Sequence, residues 1–197
     1  MSQVIEAMSD VDLLGMIVGS KTAARMLSDA GGSLAKLLNE SGAPFGPQPK
    51  VKAKLQVAKE LVRRSLAEVL RHQDALSSPA SVRDYLRMTL AGRDYEVFMV
   101  LFLDAQHRVI RPEEMFRGTL TQTSVYPREV VKRSLVNNAA AVIFAHNHPS
   151  GVAEPSHADE LLTRSLKQAL ALVDVVVLDH FVVAESRVMS FAERGLL

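Results

Sequence analysis

The chain of 197 residues contains no cysteine. Disulfides and thiolate-bound metals are therefore excluded, and any metal must be held by imidazole nitrogen and carboxylate oxygen. Long apolar runs are also missing. The longest stretches, "AAVIFA" at 140–145 and "VDVVVL" at 173–178, fall far short of the roughly 20 residues that a spanning helix needs. No basic start followed by an apolar segment marks the N-terminus. These absences together predict a cytoplasmic protein with no membrane partner. A net charge of +1 gives no general attraction to a polyanion, although the charge is unevenly spread. Residues 50–71 carry seven of the 23 Lys and Arg against Glu60 and Glu68. Few aromatics accompany that run, so it reads as a solvated helical face from which weak, sequence-independent DNA binding at most is expected.

A composition that is 48% hydrophobic is enough for a compact domain with a smaller one beside it. The first 77 residues read as helical. Leu13, Leu14, Ile17, Val18, Ala24 and Leu27 recur at helical spacing up to the breaker "AGGS", and a short helix is expected over 33–39. The stretch "SGAPFGPQPK" at 41–50 is expected to be a loop. Beyond it, Val51, Leu55, Ala58, Val62, Leu66 and Val69 mark one face of a long helix. "SSPAS" at 77–81 offers a linker and an N-cap, which puts a domain boundary between 77 and 78.

The texture then changes. "VFMVLFLD", "AAVIFA" and "VVVLDHFVVAE" are buried-strand runs. Between them, "PREVVKRSLVNN" has Pro127 at a first helical position with Val130, Val131 and Leu135 on one side. "SHADELLTRSLKQALAL" supplies a second helix, with Leu162, Leu166 and Leu170 in register. The order of strands and helices predicts an α/β (α+β) domain over 78–197 with a central sheet, preceded by a small all-helical domain over 1–77.

Histidines 146 and 148 follow directly on the strand run "AAVIFA". In extended backbone, residues two apart point to the same side, whereas on a helix they would diverge by about 200°. Pro149, Ser150 and Gly151 turn the chain, and Ser156 is placed to N-cap the helix that carries Asp159 in its first turn, where a carboxylate is favourable. Two imidazoles and one carboxylate make a three-ligand set for zinc with the fourth position open to water, as in catalytic sites. Each piece also has an ordinary reading: a surface His pair at a strand end, and an S-x-x-D helix cap. Metal-assisted hydrolysis would further need a carboxylate base. Spacing leaves Glu96, Glu113, Glu114, Glu129, Glu154 and Glu160 open. Glu96 alone leads directly into an apolar strand, where a carboxylate is costly without a role. His157 reads as solvated and His107 as turn surface, while His180 either lines the site or is a hydrogen-bonded strand residue.

His146-x-His148, seven residues, then Ser156-x-x-Asp159 resembles the JAMM signature of MPN-type zinc metalloproteases. The words "FRGTLTQTSVYPREVVKRSLVNNAAAVIFAHNHPSGVAEPSHADELLTRSL" and "LDHFVVAESRVMSF" narrow the resemblance to the bacterial RadC family, over roughly 78–197. The resemblance implies a JAMM fold with a mixed sheet flanked by helices, Zn2+ on His146, His148 and Asp159, Ser156 polarising the scissile carbonyl, and Glu96 as the catalytic glutamate. It implies a zinc-dependent hydrolase of peptide or isopeptide bonds in an unidentified peptide or protein. The alternatives are a DNA-associated repair factor, the role from which the family is named, and a zinc-binding scaffold without turnover. The N-terminal part resembles a diverged helix-hairpin-helix segment: "KVKAKLQVAKELVRR" is present, but "APFGPQPK" stands where the family's glycine turn would be. Nothing after Asp159 resembles the insertions with which deubiquitinases of this fold clamp ubiquitin, so a ubiquitin-specific role is not expected.

Overall fold

A computed structural model describes residues 5–39, 49–118, 124–184 and 187–197. Contacts divide the chain into two compact units, Met1–Arg64 and Ser65–Leu197. No helix among the described residues is long and apolar enough to cross a membrane.

The first unit contains α1 (Asp10–Val18), α2 (Ser20–Asp29), α3 (Leu34–Asn39) and the start of α4 (Pro49–His72). The sequence suggested one helical run up to "AGGS". Instead Gly19, at φ 92°, ends α1 and begins α2, in backbone that favours glycine. That turn rotates the apolar set: Ala23, Met26 and Leu27 are buried while Ala24 is exposed. Leu14, Ala23, Met26, Leu37 and Leu55 form the core of this unit. Of the expected 41–50 loop, only Pro49 and Lys50 lie among the described residues, and both are already helical.

The long periodic face of α4 is divided. Leu55 belongs to the first core and Leu70 to that of the second unit, while Val62 between them is exposed. The division between units therefore falls inside α4, upstream of the 77/78 boundary read from the sequence.

In the second unit, α5 (Pro79–Leu90), β1 (Val97–Leu103), β2 (Val109–Arg117), α6 (Pro127–Val136), β3 (Ala141–Asn147), α7 (His157–Ala171), β4 (Val176–Val183) and β5 (Val188–Ser190) follow one another. The strands form one mixed sheet in the order β2-β1-β3-β4-β5, with β3 and β4 parallel and the other neighbours antiparallel. β2 contains Pro112 and four charged residues. An edge position tolerates both, since a proline there forfeits no ladder bond from a central strand.

β1 and β3 are buried along their whole length, and their side chains alternate between two cores. Met99, Leu101, Ile143 and Ala145 pack against Val82, Leu86 and Leu90 of α5. Phe98, Val100, Val142 and Phe144 pack against Val130 of α6 and Leu166 and Leu170 of α7. On α6, Val130 and Ser134 are the inward pair and Leu135 is exposed, contrary to the expected side. Residues four apart share a helix face, and Leu135 falls one step beyond it.

Candidate metal centre

β3 brings His146 to the same face as Val142 and Phe144, toward α7. The His148 amide donates to the Val183 carbonyl (2.9 Å), which keeps the chain extended past the strand end. The second imidazole thus returns to the side of the first, with ring centroids 4.8 Å apart. The chain then turns through Gly151, at φ 80°, and re-enters as α7.

Ser156 caps that helix. Its hydroxyl accepts from the Asp159 amide (3.2 Å), and Asp159 Oδ2 accepts from the Ser156 amide (2.7 Å), a reciprocal capping box. The hydroxyl also donates to Asp159 Oδ2 (2.7 Å). The S-x-x-D cap and the candidate ligand are therefore one structure: the cap holds the carboxylate through Oδ2 and leaves Oδ1 turned to His146.

His146 Nε2 lies 3.0 Å from His148 Nε2 and 3.3 Å from Asp159 Oδ1, and His148 Nε2 lies 3.5 Å from Asp159 Oδ2. His148 Nδ1 donates to the Val152 carbonyl (2.8 Å), so in the neutral ring the lone pair is on Nε2, facing the cluster. Electron-pair donors converging this closely repel unless a cation sits among them. The three residues offer ligand atoms all within 4.8 Å of one another and could hold a metal ion. Nitrogen and carboxylate donors in a tight set of three suit a small divalent ion such as zinc.

A proton takes up part of that role when no metal does. The hydrogen bond to Asp159 raises the pKa of His148 above its usual 6.5, against the effect of its partial burial, and the Val152 carbonyl, the Asp159 charge and the Glu96 charge add to the rise. Burial works to raise the Asp159 carboxyl, but the adjoining imidazoles of His146 and His148 and the Ser156 bond outweigh it and hold the carboxyl far below 3.8.

Glu96 lines the same pocket as His146, His148, Ser156 and Asp159. It sits one residue before β1, held from both sides by Asn147. The buried Asn147 amide accepts from the Val97 amide (2.8 Å) and donates to the Tyr95 carbonyl (3.0 Å). Sequence reasoning passed over this residue, whose one mark is that it separates the two histidines. The other carboxylates that spacing left open are engaged elsewhere: Glu113 with Arg133, Glu114 with Arg93, Glu129 with Arg128, Glu154 with Arg194 and Glu160 with Arg164. Phe98, Val125, Tyr126 and Leu162 supply the pocket's apolar wall.

His157 is exposed, and His107 occupies a turn at φ 57°. His180 has no exposed surface and its Nε2 lies 2.9 Å from His146 Nδ1, so it touches a candidate ligand from beneath the pocket. Burial holds its pKa well below 6.5, and the nearby His146 adds to the lowering. On α4, Lys59 donates to the Leu38 carbonyl, and Arg63 and Arg64 share Glu60, whose carboxyl they pull down to about 2.

Residues 76–196 match the family described as RadC-like JAB domain. The chain is 57% identical to a UPF0758 protein of Nitrosomonas europaea over 97% of its own length and 90% of that protein's. It is 58% identical to a UPF0758 protein of Nitrosomonas eutropha (96% and 90%) and 55% identical to one of Methylibium petroleiphilum (97% and 91%). The matched span contains both histidines, the aspartate, Glu96 and the strands that hold them, and through it the chain belongs to the RadC family, with a JAB-type domain.

Proposed function

We propose that the chain is a zinc-dependent hydrolase that cleaves a peptide or isopeptide bond with a metal-activated water. The observation that carries this reading is the convergence of His146, His148 and Asp159 in an open pocket whose one further carboxylate, among the described residues, is Glu96. Zinc bound there would lower the pKa of a coordinated water to about 7. Glu96 takes the proton from the attacking water and hands it to the leaving amine. Asn147 limits the wandering of Glu96 by fixing the backbone on either side of it. The Ser156 hydroxyl, whose one proton goes to Asp159 Oδ2, would turn that proton to the scissile carbonyl oxygen when substrate is bound and so favour the charge that develops there. Phe98, Val125 and Leu162 give an extended chain an apolar surface beside the reacting bond.

Glu96→Gln separates base from ligand. The variant should keep stoichiometric zinc by elemental analysis and lose about 10²- to 10⁴-fold in turnover on a peptide substrate found with the wild type. Full activity would move the base to another group, and lost zinc would make Glu96 a ligand. A wild type that binds zinc but turns over no peptide, isopeptide or protein in a broad screen would favour the scaffold reading. A DNA-associated role gains no support from α4, where Lys59 and Arg63 already have partners within the chain.

A further inference from the structure

Beneath the cluster, a chain of hydrogen bonds leads from one candidate ligand to another. Thr163 Oγ1 lies 2.6 Å from the Asp159 carbonyl oxygen and 2.7 Å from His180 Nδ1. A carbonyl has no hydrogen to give, so the single hydroxyl proton goes to it, and the hydroxyl must then accept from His180 Nδ1–H. His180 is fully buried, stacked on Phe191 at 4.8 Å and edge-on to Phe98 and Phe144 at 5.6 and 5.8 Å. In that setting the ring is neutral. With its proton on Nδ1, its Nε2 can only accept, and the donor 2.9 Å away is His146 Nδ1–H. The His146 lone pair is therefore on Nε2, the atom that faces His148 and Asp159.

His180 reaches this place through an irregularity of the sheet. Between Val142↔Val177 and Ile143↔Asp179 the β3–β4 register shifts by one residue, and Leu178 packs into the α5-side core. Strict alternation from Val177 would send His180 to that same face, away from the cluster. Asp179 secures the shift: Oδ1 accepts from the His180 and Ala192 amides (2.7 and 3.0 Å), and Oδ2 accepts from Ser190 Oγ (2.6 Å).

We propose that His180, backed by Thr163, is a positioning residue that holds His146 in the Nδ1–H tautomer needed to ligate a metal through Nε2. The circuit from the Asp159 carbonyl through Thr163 and His180 to His146 also ties a ligand on α7 to a ligand on β3. This inference rests on the metal-site reading, and the test keeps the two apart. Zinc affinity is measured by competition with a chromogenic chelator, and the His146 tautomer by nitrogen NMR of the metal-free wild type at alkaline pH. His180→Phe keeps a buried ring but removes the acceptor, and zinc affinity should fall about 10- to 100-fold. His180→Gln, whose amide oxygen can accept from His146, should recover most of it. Should His180→Phe not fold, Thr163→Val, which removes only the hydroxyl, should still weaken binding, with Thr163→Ser close to the wild type. An Nε2–H tautomer of His146 in the wild type would overturn the proposal, as would undiminished zinc affinity in both His180→Phe and Thr163→Val. A wild type that binds no zinc would overturn the metal-site reading itself, and this inference with it.

Discussion

On the α5 side of the sheet, Met99, Leu101, Ile143 and Ala145 meet Val82, Leu86 and Leu90. On the α7 side, the same two strands begin in the same way, with Val142 and Phe144 against Leu166 and Leu170, and then turn polar at His146. Both faces are equally shut off from water, yet one end of the second buries His146, His180, Thr163 and Asp159 together. Each such group costs about 1–3 kcal/mol when buried without a partner. Here every one has a partner, which offsets the cost without making the cluster better than well-packed aliphatic residues would be. Stability alone therefore accounts for the first face and does not account for the polar end of the second.

The largest effect that would separate the two faces is loss of the metal. His146→Ala and Asp159→Ala should each abolish stoichiometric zinc while leaving the far-UV circular dichroism close to that of the wild type, because catalytic sites contribute less to folding than closed structural ones. Full occupancy by elemental analysis in both variants would remove these residues from the ligand set.

Next in size, Leu86→Ala and Leu166→Ala should each cost about 2–5 kcal/mol in urea denaturation, since both remove fully buried side chains. They should part in their effect on the site. Leu86 packs in the α5-side core and Leu166 one turn below Thr163 on α7, so zinc affinity of the folded protein should survive the first change and weaken modestly in the second. Equal losses of affinity in both would dissolve the distinction between the faces.

The smallest effect concerns pH in the metal-free protein. Asp159 is held below 3.8 in the folded chain, so its contribution is present above that value and lost as pH falls below it. His148 is raised above 6.5, so its contribution is complete below 6.5 and lost as pH rises through the folded value. Thermal stability attributable to the pair should thus be greatest between those limits. Zinc held by the proposed ligands would displace the His148 proton, so the rise in melting temperature on adding zinc should grow with pH, whereas the decrement from Leu86→Ala should stay constant. A zinc-induced rise that is flat from pH 5.5 to 8 would contradict the place given to His148.

The buried strands β1 and β3 and the helix α7 could be read from the chain because their signals are local: unbroken apolar runs, a period of 3.6, and Ser156 before an acidic first turn. The order strand, strand, helix, strand, helix, strand, strand includes β2, but its bounds are harder to read, since an edge strand buries little and its Pro112, Glu113 and Glu114 look like loop residues. The division inside α4 is invisible to periodicity, because one continuous helix gives its first turns to one core and its last to another.

The candidate site divides in the same way. His146 and His148 share a side because a strand repeats every two residues, and Asp159 faces them because a helix cap fixes its first turn, so sequence alone determined a three-donor set. Tertiary structure decided the rest. Glu96 shares the pocket because β1 lies beside β3 with Asn147 bridging their ends, a pairing between residues some fifty positions apart. His180 lies under His146 only because one extra residue in β4 reverses the alternation of side chains, and no pattern of residue types along a strand records which neighbour it will pair with or where its register will slip.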